Sequence, residues 1–242
     1  MARRRFFVDE VRGGTAEIAG DEAAHLTRVL RVENGEKFEI SDGVAVWLAE
    51  VTEARKSAVR FQVIESVEAG PEPPPVHLYV ALFKFDRLEW LIEKATELGV
   101  QRIVPVETAR SDHALFSAAE KRVDRWRRIA REASQQSRRV RIPQIDNPIR
   151  AQRLEAPEPR ARLDELAGTP PLLIPADWRP GHPYSVLLGP EGGWTDDERQ
   201  LLDTRGWRGA SIANSILRAE TAGVAALSIL AHEWILRCDN AR

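Results

Sequence analysis

The spacing of apolar positions changes once along the chain. In "KFEISDGVAVWLAEV" they alternate with polar residues on both sides of Asp42-Gly43, and they alternate again in "AVRFQVIESV". A period of two with a turn dipeptide between predicts strands joined by a hairpin. Upstream, "GDEAAHLTRVLRV" places His25, Leu26, Val29 and Leu30 at helical spacing. Residues 1–70 therefore predict a small β-barrel with one helix. From residue 77 the period lengthens. "VHLYVAL" reads as a buried strand, and "DRLEWLIEKATELG" puts Leu88, Leu91, Ile92, Ala95 and Leu98 on one helical face with Gly99 at the C′ position. "RIVPV" follows as a strand, which makes a βαβ unit and a parallel sheet. A helix around Val123, Trp126, Ile129 and Ala133 comes next, then a proline-broken region through Pro171. "PLLIP", "SVLLGP" and "GASIAN" predict further strands. Thr195 to Glu198 reads T-x-x-E, a capping box opening a helix. The last helix, about 221–236, is apolar on most faces and must be covered by the sheet or by another subunit.

Between the two regimes lies "EAGPEPPPVH". Consecutive prolines fix φ and remove backbone donors, so residues 71–76 read as an extended linker between a domain at 1–70 and an α/β domain at 77–242.

Composition narrows the function. Basic residues number 35 and acidic ones 37, a net charge of −2, so any RNA contact must come from a local patch. Cys238 is the only cysteine, which excludes an intramolecular disulfide and a cysteine-built metal site. No apolar run reaches membrane-spanning length, and "MARRRFFVDE" lacks the apolar core of a signal peptide. A cytoplasmic protein is expected.

Three segments could carry chemistry. "LLGPEGGWTDDE" leaves a strand and enters a capped helix, where open parallel sheets bind ligands. It lacks the spacing and the lysine of a phosphate loop, and Glu191 would repel a phosphate. The loop suits a neutral or cationic ligand held by main-chain groups, or it is simply a tight turn. "SILRAETAG" places Arg218 and Glu220 where an apolar strand end meets a buried helix; they are either a pair fixing the helix entry or a functional pair. "KRVDRWRRIAREASQQSRRVRIP" carries nine Lys/Arg against two acids, a one-signed bias that suits a polyanion as well as a solvated face. Arg3, Arg4 and Arg5 beside Phe6 and Phe7 could add a second basic contact. The histidines show no metal-ligand spacing, and Trp47, Trp90, Trp126, Trp207 and Trp234 read as core residues.

Together, "EAAHLTRVLRV", "KFDRLEWLIEKATELGVQRIVPV", "REASQQSRRVRIPQI", "LLGPEGGWTDDE" and "ILRAETA" resemble, in order and over nearly the full chain, the RsmE family of ribosomal RNA uridine-N3 methyltransferases in the SPOUT superfamily. The resemblance implies a PUA-like RNA-binding barrel, a parallel-sheet SPOUT domain with a C-terminal trefoil knot, S-adenosylmethionine as methyl donor, no metal, and a homodimer. It further implies 16S ribosomal RNA as substrate, alone or within the small subunit, with uridine 1498 as the family target. By position, Leu188, Gly189, Pro190, Gly192 and Gly193 form one donor loop; Ile212, Ala213, Ile216, Leu217 and Arg218 form the other. Arg218 is the expected stabiliser of charge on the target base, Glu220 its orienter, and Glu191 a base or a neighbour of the sulfonium. Arg3, Arg4, Arg5, Arg28, Arg31, Arg110, Arg138 and Arg139 are the expected RNA contacts. Two departures from the family pattern stand out. Ile212-Ala213-Asn214-Ser215 replaces L-G-x-R, and Arg138 stands where glycine is common. A non-catalytic RNA-binding or assembly factor, and a SPOUT methyltransferase acting on another RNA, remain the alternative readings.

Overall fold

A computed structural model describes residues 4–69, 73–111 and 113–240. Arg3 and positions 71–72 of the expected linker lie outside the described residues. The described part of Met1–Pro71 forms one compact unit with Ser134–Ile142, and that of Glu72–Ala133 forms a second with Pro143–Arg242.

The first unit contains β1 (Arg5–Phe7), β2 (Thr15–Ala19), α1 (Gly20–Arg28), β3 (Lys37–Ser41), β4 (Val46–Ala54) and β5 (Ala58–Val67), with sheet order β1-β3-β4-β5-β2. The β3–β4 hairpin turns where the sequence predicts. Gly43 has φ +86°, and Asp42 Oδ1 accepts from the amides of Val44 and Ala45 at 2.8 and 2.9 Å. Phe6, Ile18, Leu26, Ile40, Val51, Val59 and Phe61 pack the core. The helix is shorter than its apolar spacing suggests. It ends at Arg28 and leaves Val29 63% exposed, because Arg31 adopts a left-handed φ of +53° that turns the chain away.

The excursion of 134–142 into this unit is not legible in the sequence, which reads that stretch as one basic run. Ser41 Oγ donates to the Val140 carbonyl at 2.8 Å and Arg141 Nε to that of Gly43 at 2.7 Å. Arg138 has φ +57°, which explains why glycine suits this position, and its guanidinium pairs with Glu39. Glu39 also accepts from Arg5 Nε and Nη2 at 3.1 and 2.8 Å, with both side chains nearly enclosed. Burial by itself would raise the Glu39 carboxyl, but hydrogen bonds and charge from Arg5 and Arg138 outweigh it and hold the pKa below the ordinary 4.5. A depressed folded-state pKa means that this stabilisation is complete above pH 4.5 and is lost as pH falls through the lower folded value. Glu39→Gln is expected to lose ~3 kcal/mol at neutral pH, since Arg5 is left buried with a neutral partner. It should also show a flatter fall in stability below pH 4.5 than the wild type in denaturant titrations. Parallel pH profiles for the two proteins would exclude Glu39 as the acid-sensitive group.

The second unit runs β6 (Val76–Ala81), α2 (Phe85–Glu97), β7 (Arg102–Glu107), α3 (His113–Glu120), α4 (Val123–Gln136, whose last three residues belong to the first unit), β8 (Gln144–Ile145) and β9 (Ile149–Arg150). It continues with β10 (Arg160–Leu163), β11 (Tyr184–Leu188), α5 (Asp196–Thr204), β12 (Arg208–Ala210) and α6 (Ala219–Asn240). Its sheet is parallel in the order β12-β10-β11-β6-β7-β8. The α2 face is as predicted: Leu88, Leu91, Ile92 and Ala95 are fully buried, and Gly99 ends the helix with φ +94°.

Two expectations are corrected. "PLLIP" is no strand; it contributes one isolated bridge, Pro171 to Ser211. The strand beside β11 is β10, "RARL", within the region read as proline-broken. Its arginines hid it. They have internal partners: Arg160 Nε donates to the Ala156 carbonyl at 2.7 Å and Arg162 Nη1 to Asp203 at 2.9 Å. Trp90 also departs from the core reading, at 45% exposed.

Candidate active site

Three adjacent strands, β10, β11 and β12, end at one cleft of about 490 Å³. The β11 end supplies the first wall, Leu188 to Gly193. The segment from Ser211 to Ala219, between β12 and α6, supplies the second, and Asp164 and Glu165 after β10 and Arg87 of α2 also line it. Every donor-loop residue expected from the sequence lines this cleft: Leu188, Gly189, Pro190, Gly192, Gly193, Ile212, Ala213, Ile216, Leu217 and Arg218.

The first wall is rigid for identifiable reasons. The capping box forms fully: Glu198 N donates to Thr195 Oγ1 at 3.2 Å and Thr195 N to Glu198 Oε2 at 3.1 Å. Glu198 is buried and also accepts from the Ala109 amide at 2.7 Å. Gly193 takes φ +71° and donates to the Pro190 carbonyl at 2.9 Å. Gly189 is required for a different reason, close approach. A Cβ there would lie 2.9 Å from the Trp194 ring, which is buried and donates from Nε1 to the Leu163 carbonyl at 2.8 Å. Arg110, expected to touch RNA, instead donates to the Gly192 carbonyl and braces the turn.

The second wall is looser. Ala213, Asn214, Ser215 and Ile216 are exposed, Ile216 at 84%. Its departure from L-G-x-R costs no backbone strain. Among the described residues only Arg31 and Arg138 outside glycine have positive φ, so Ala213 and Asn214 follow ordinary backbone conformations.

The charges divide unequally. Arg218 is exposed on the cleft lining, and its side chain makes no ion pair among the described residues. Glu220, expected to orient it, pairs instead with Arg87 of α2, Nε to Oε1 at 3.7 Å. Arg87 also donates to Glu191. The sequence reading did not single out Arg87, although it stands in "KFDRLEW". Asp164, also missed, is buried and accepts from Arg199 Nε and Nη2 at 3.1 and 3.2 Å, with Arg162 Nη2 at 3.2 Å. This network fixes the third edge of the cleft. Burial of a charge with several partners of opposite sign favours one geometry.

The cleft suits a donor of the S-adenosylmethionine kind. Its volume lies in the range of small-molecule sites, ~300–1,000 Å³. A glycine turn lines it together with Leu188, Ile212, Ile216 and Leu217, and Glu165 and Glu191 tolerate a cation.

The expected RNA contacts separate within the first unit. Arg4, Arg28 and Arg31 are exposed. Arg5 is buried against Glu39, Arg138 is paired with the same carboxylate, and half-buried Arg139 has its pKa lowered by burial to about 10. Arg122, just before α4, and Arg125 within it both pair with Glu89, whose pKa is held below the ordinary 4.5 chiefly by the Arg125 hydrogen bond.

A profile described as an RNA methyltransferase domain matches residues 71–231, and one described as an RNA methyltransferase PUA domain matches residues 18–64. The ribosomal RNA small subunit methyltransferase E of Synechocystis is 32% identical over 91% of this chain and 74% of its own length. That of Aquifex aeolicus is 31% identical over 93% of this chain and 97% of its own. The chain belongs to the ribosomal RNA small subunit methyltransferase E family. Among solved structures, the methyltransferase E of Neisseria gonorrhoeae bound to S-adenosyl methionine superposes with a TM-score of 0.84 at 26% identity, covering 96% of this chain and 98% of that one. The family assignment places the PUA domain in the first unit and the methyltransferase domain on the parallel sheet that carries the cleft. Among the described residues no helix is long and apolar enough to cross a membrane.

Proposed function

We propose that this methyltransferase E family member transfers a methyl group from S-adenosylmethionine to N3 of one uridine in 16S ribosomal RNA, the position the family resemblance gives as 1498. The observation that carries the reading is the shared cleft: both donor motifs line it, and Arg218, free of ion pairs among the described residues, stands on it. The donor supplies an electrophilic methyl on a sulfonium. The protein's task is then to orient that donor, receive an unpaired uridine, and accommodate negative charge on O2 and O4 once the N3 proton leaves. Arg218 is the group for that charge, a preset cation whose donors are not engaged elsewhere. Glu191 and Glu220 sit with Arg87 between them; two carboxylates and one guanidinium leave one net negative charge beside the place of a cationic donor.

Arg4, Arg28 and Arg31 are the exposed candidates for RNA phosphate contact in the PUA-bearing unit. A homodimer, with the C-terminal knot the resemblance implies, is supported by exposed Ile229 and Leu236, seven residues apart on α6, with Ile235 beside them. The proposed setting is the cytoplasm, where the substrate RNA is assembled into subunits.

The test supplies purified protein with isotope-labelled donor and, in separate arms, naked 16S RNA and small subunits from cells lacking this enzyme. Mass spectrometry of the digested RNA is expected to find label in a single 3-methyluridine. Label on a ribose or another base would move the protein to a different SPOUT activity. No transfer in either arm would end the enzymatic reading.

A further inference from the structure

We propose that Arg87 is a positioning residue that ties the two walls of the cleft together and so sets the gap into which the donor fits. The inference rests on the proposed donor site but concerns a residue outside both donor motifs.

Arg87 stands on a helix with a fully buried face. Its helical successors Leu88, Leu91, Ile92 and Ala95 are fully buried, so the base of the side chain is fixed. Its guanidinium then reaches two carboxylates on two separate segments. Glu191 belongs to the glycine turn of the first wall, and Glu220 to the opening turn of α6, where the second wall ends. The ion pairs of Arg87 reach both segments at once.

The two segments need this tie to different degrees. The turn has other braces: the capping box, Trp194 and Arg110. The second wall has few. At its start the Ser211 amide donates to the Pro170 carbonyl at 2.7 Å, and Ser211 Oγ donates to the Ala213 carbonyl at 3.0 Å; the residues from Ala213 to Ile216 are exposed. Its far end joins α6, which is held against α2 at Gly223, where a Cβ would lie 2.9 Å from Leu91 Cδ1. Glu220 lies between, with its side chain only 12% exposed and Oε2 buried without a hydrogen-bond partner. A carboxylate so enclosed is stable only beside a cation, and Arg87 is the cation present. Without it, Glu191 and Glu220 would leave two like charges beside the cleft with nothing between them.

The arrangement is therefore an electrostatic clasp: one guanidinium on a rigid helix, one carboxylate on each wall. Lysine at this position keeps the charge but lacks the fork that reaches both acids.

Hydrogen exchange read by mass spectrometry on the donor-free protein tests the clasp directly. Arg87→Ala is expected to speed exchange in 189–193 and in 211–219 while β6 and β7 stay protected, with Arg87→Lys intermediate. Donor titration then gives the functional consequence. Arg87→Ala should weaken S-adenosylmethionine binding about tenfold, and the same change should cost less than about threefold in a Glu191→Gln/Glu220→Gln background, because interacting residues do not add. In turnover, the donor KM should rise with kcat nearly kept. Unchanged exchange in both segments would overturn the proposal, as would equal losses in the two backgrounds. A wild type that binds no donor would instead defeat the proposed function, while the exchange data still decide the clasp. Should Arg87→Ala not fold, Arg87→Lys and Glu191→Gln carry the same comparison.

Discussion

Replacing Arg218 by alanine is expected to slow methyl transfer by about 10²–10³-fold, the effect of removing one preset charge-stabilising donor. Its side chain is exposed and makes no ion pair among the described residues, so removing it leaves no buried carboxylate without a partner and little packing is lost. Stability should change by no more than ~0.5 kcal/mol, as for an ordinary surface substitution. Affinity for S-adenosylmethionine should stay within about threefold, because the donor cleft is built mainly from the turn 189–193 and apolar side chains. The informative pattern is therefore a large fall in kcat with donor binding and unfolding unchanged. Single-turnover transfer to 16S RNA measures the first quantity and calorimetry the second. Wild-type turnover in the variant would remove Arg218 from the mechanism. An equal loss in donor affinity would make it a donor-binding residue instead. Glu191 and Glu220 are expected to behave differently from Arg218, because both are engaged by Arg87.

The second large effect is predicted at Gly189, where adding one methyl group should both destabilise the protein and spoil the cleft. The added carbon would meet Trp194 Cε2 and Nε1 at 2.9 Å, closer than such contacts occur. Trp194 cannot yield freely. It is 2% exposed, and its ring nitrogen is committed to the Leu163 carbonyl. Either the indole shifts and breaks that hydrogen bond, or the turn shifts and changes the first wall. Overpacking of this kind costs ~1–3 kcal/mol, and at ~2–4 °C per kcal/mol for a chain of this size the melting temperature should fall by about 2–12 °C. Donor affinity should fall about tenfold or more, since a displacement of this size at a close-fitting site is costly. Gly189→Ala should cost less in a Trp194→Phe background, where the smaller ring leaves space. Identical melting and donor binding in Gly189→Ala and wild type would show that the turn adapts without consequence.

Much of the fold follows from patterns shorter than a helix. The period of two in the hairpin, the 3.6 spacing of α2 and the T-x-x-E box each depend on neighbours a few residues apart, and each is where the chain places it. What escaped detection depends on partners far away. β10 carries Arg160 and Arg162 on a strand that looks too polar for a sheet interior, and the Arg205 carbonyl and Asp203, both some forty residues away, accept from those arginines. Arg5 and the left-handed Arg138 share one partner, Glu39, whose distance from them in sequence hides it.

The site divides in the same way. The sequence by itself marked Arg218 and the two loops that line the cleft, because glycine, capping and apolar run are local requirements of a turn at a strand end. It also determined the family, through the order of those motifs. Only the tertiary structure decided that both motifs face one cleft, that Arg110 braces the turn, and that Glu191 and Glu220 answer to Arg87 rather than to Arg218. The physical reason is range. Backbone conformation is governed by adjacent residues, whereas the partner of a charge is whichever opposite charge the packing of helices and strands brings within a few ångströms.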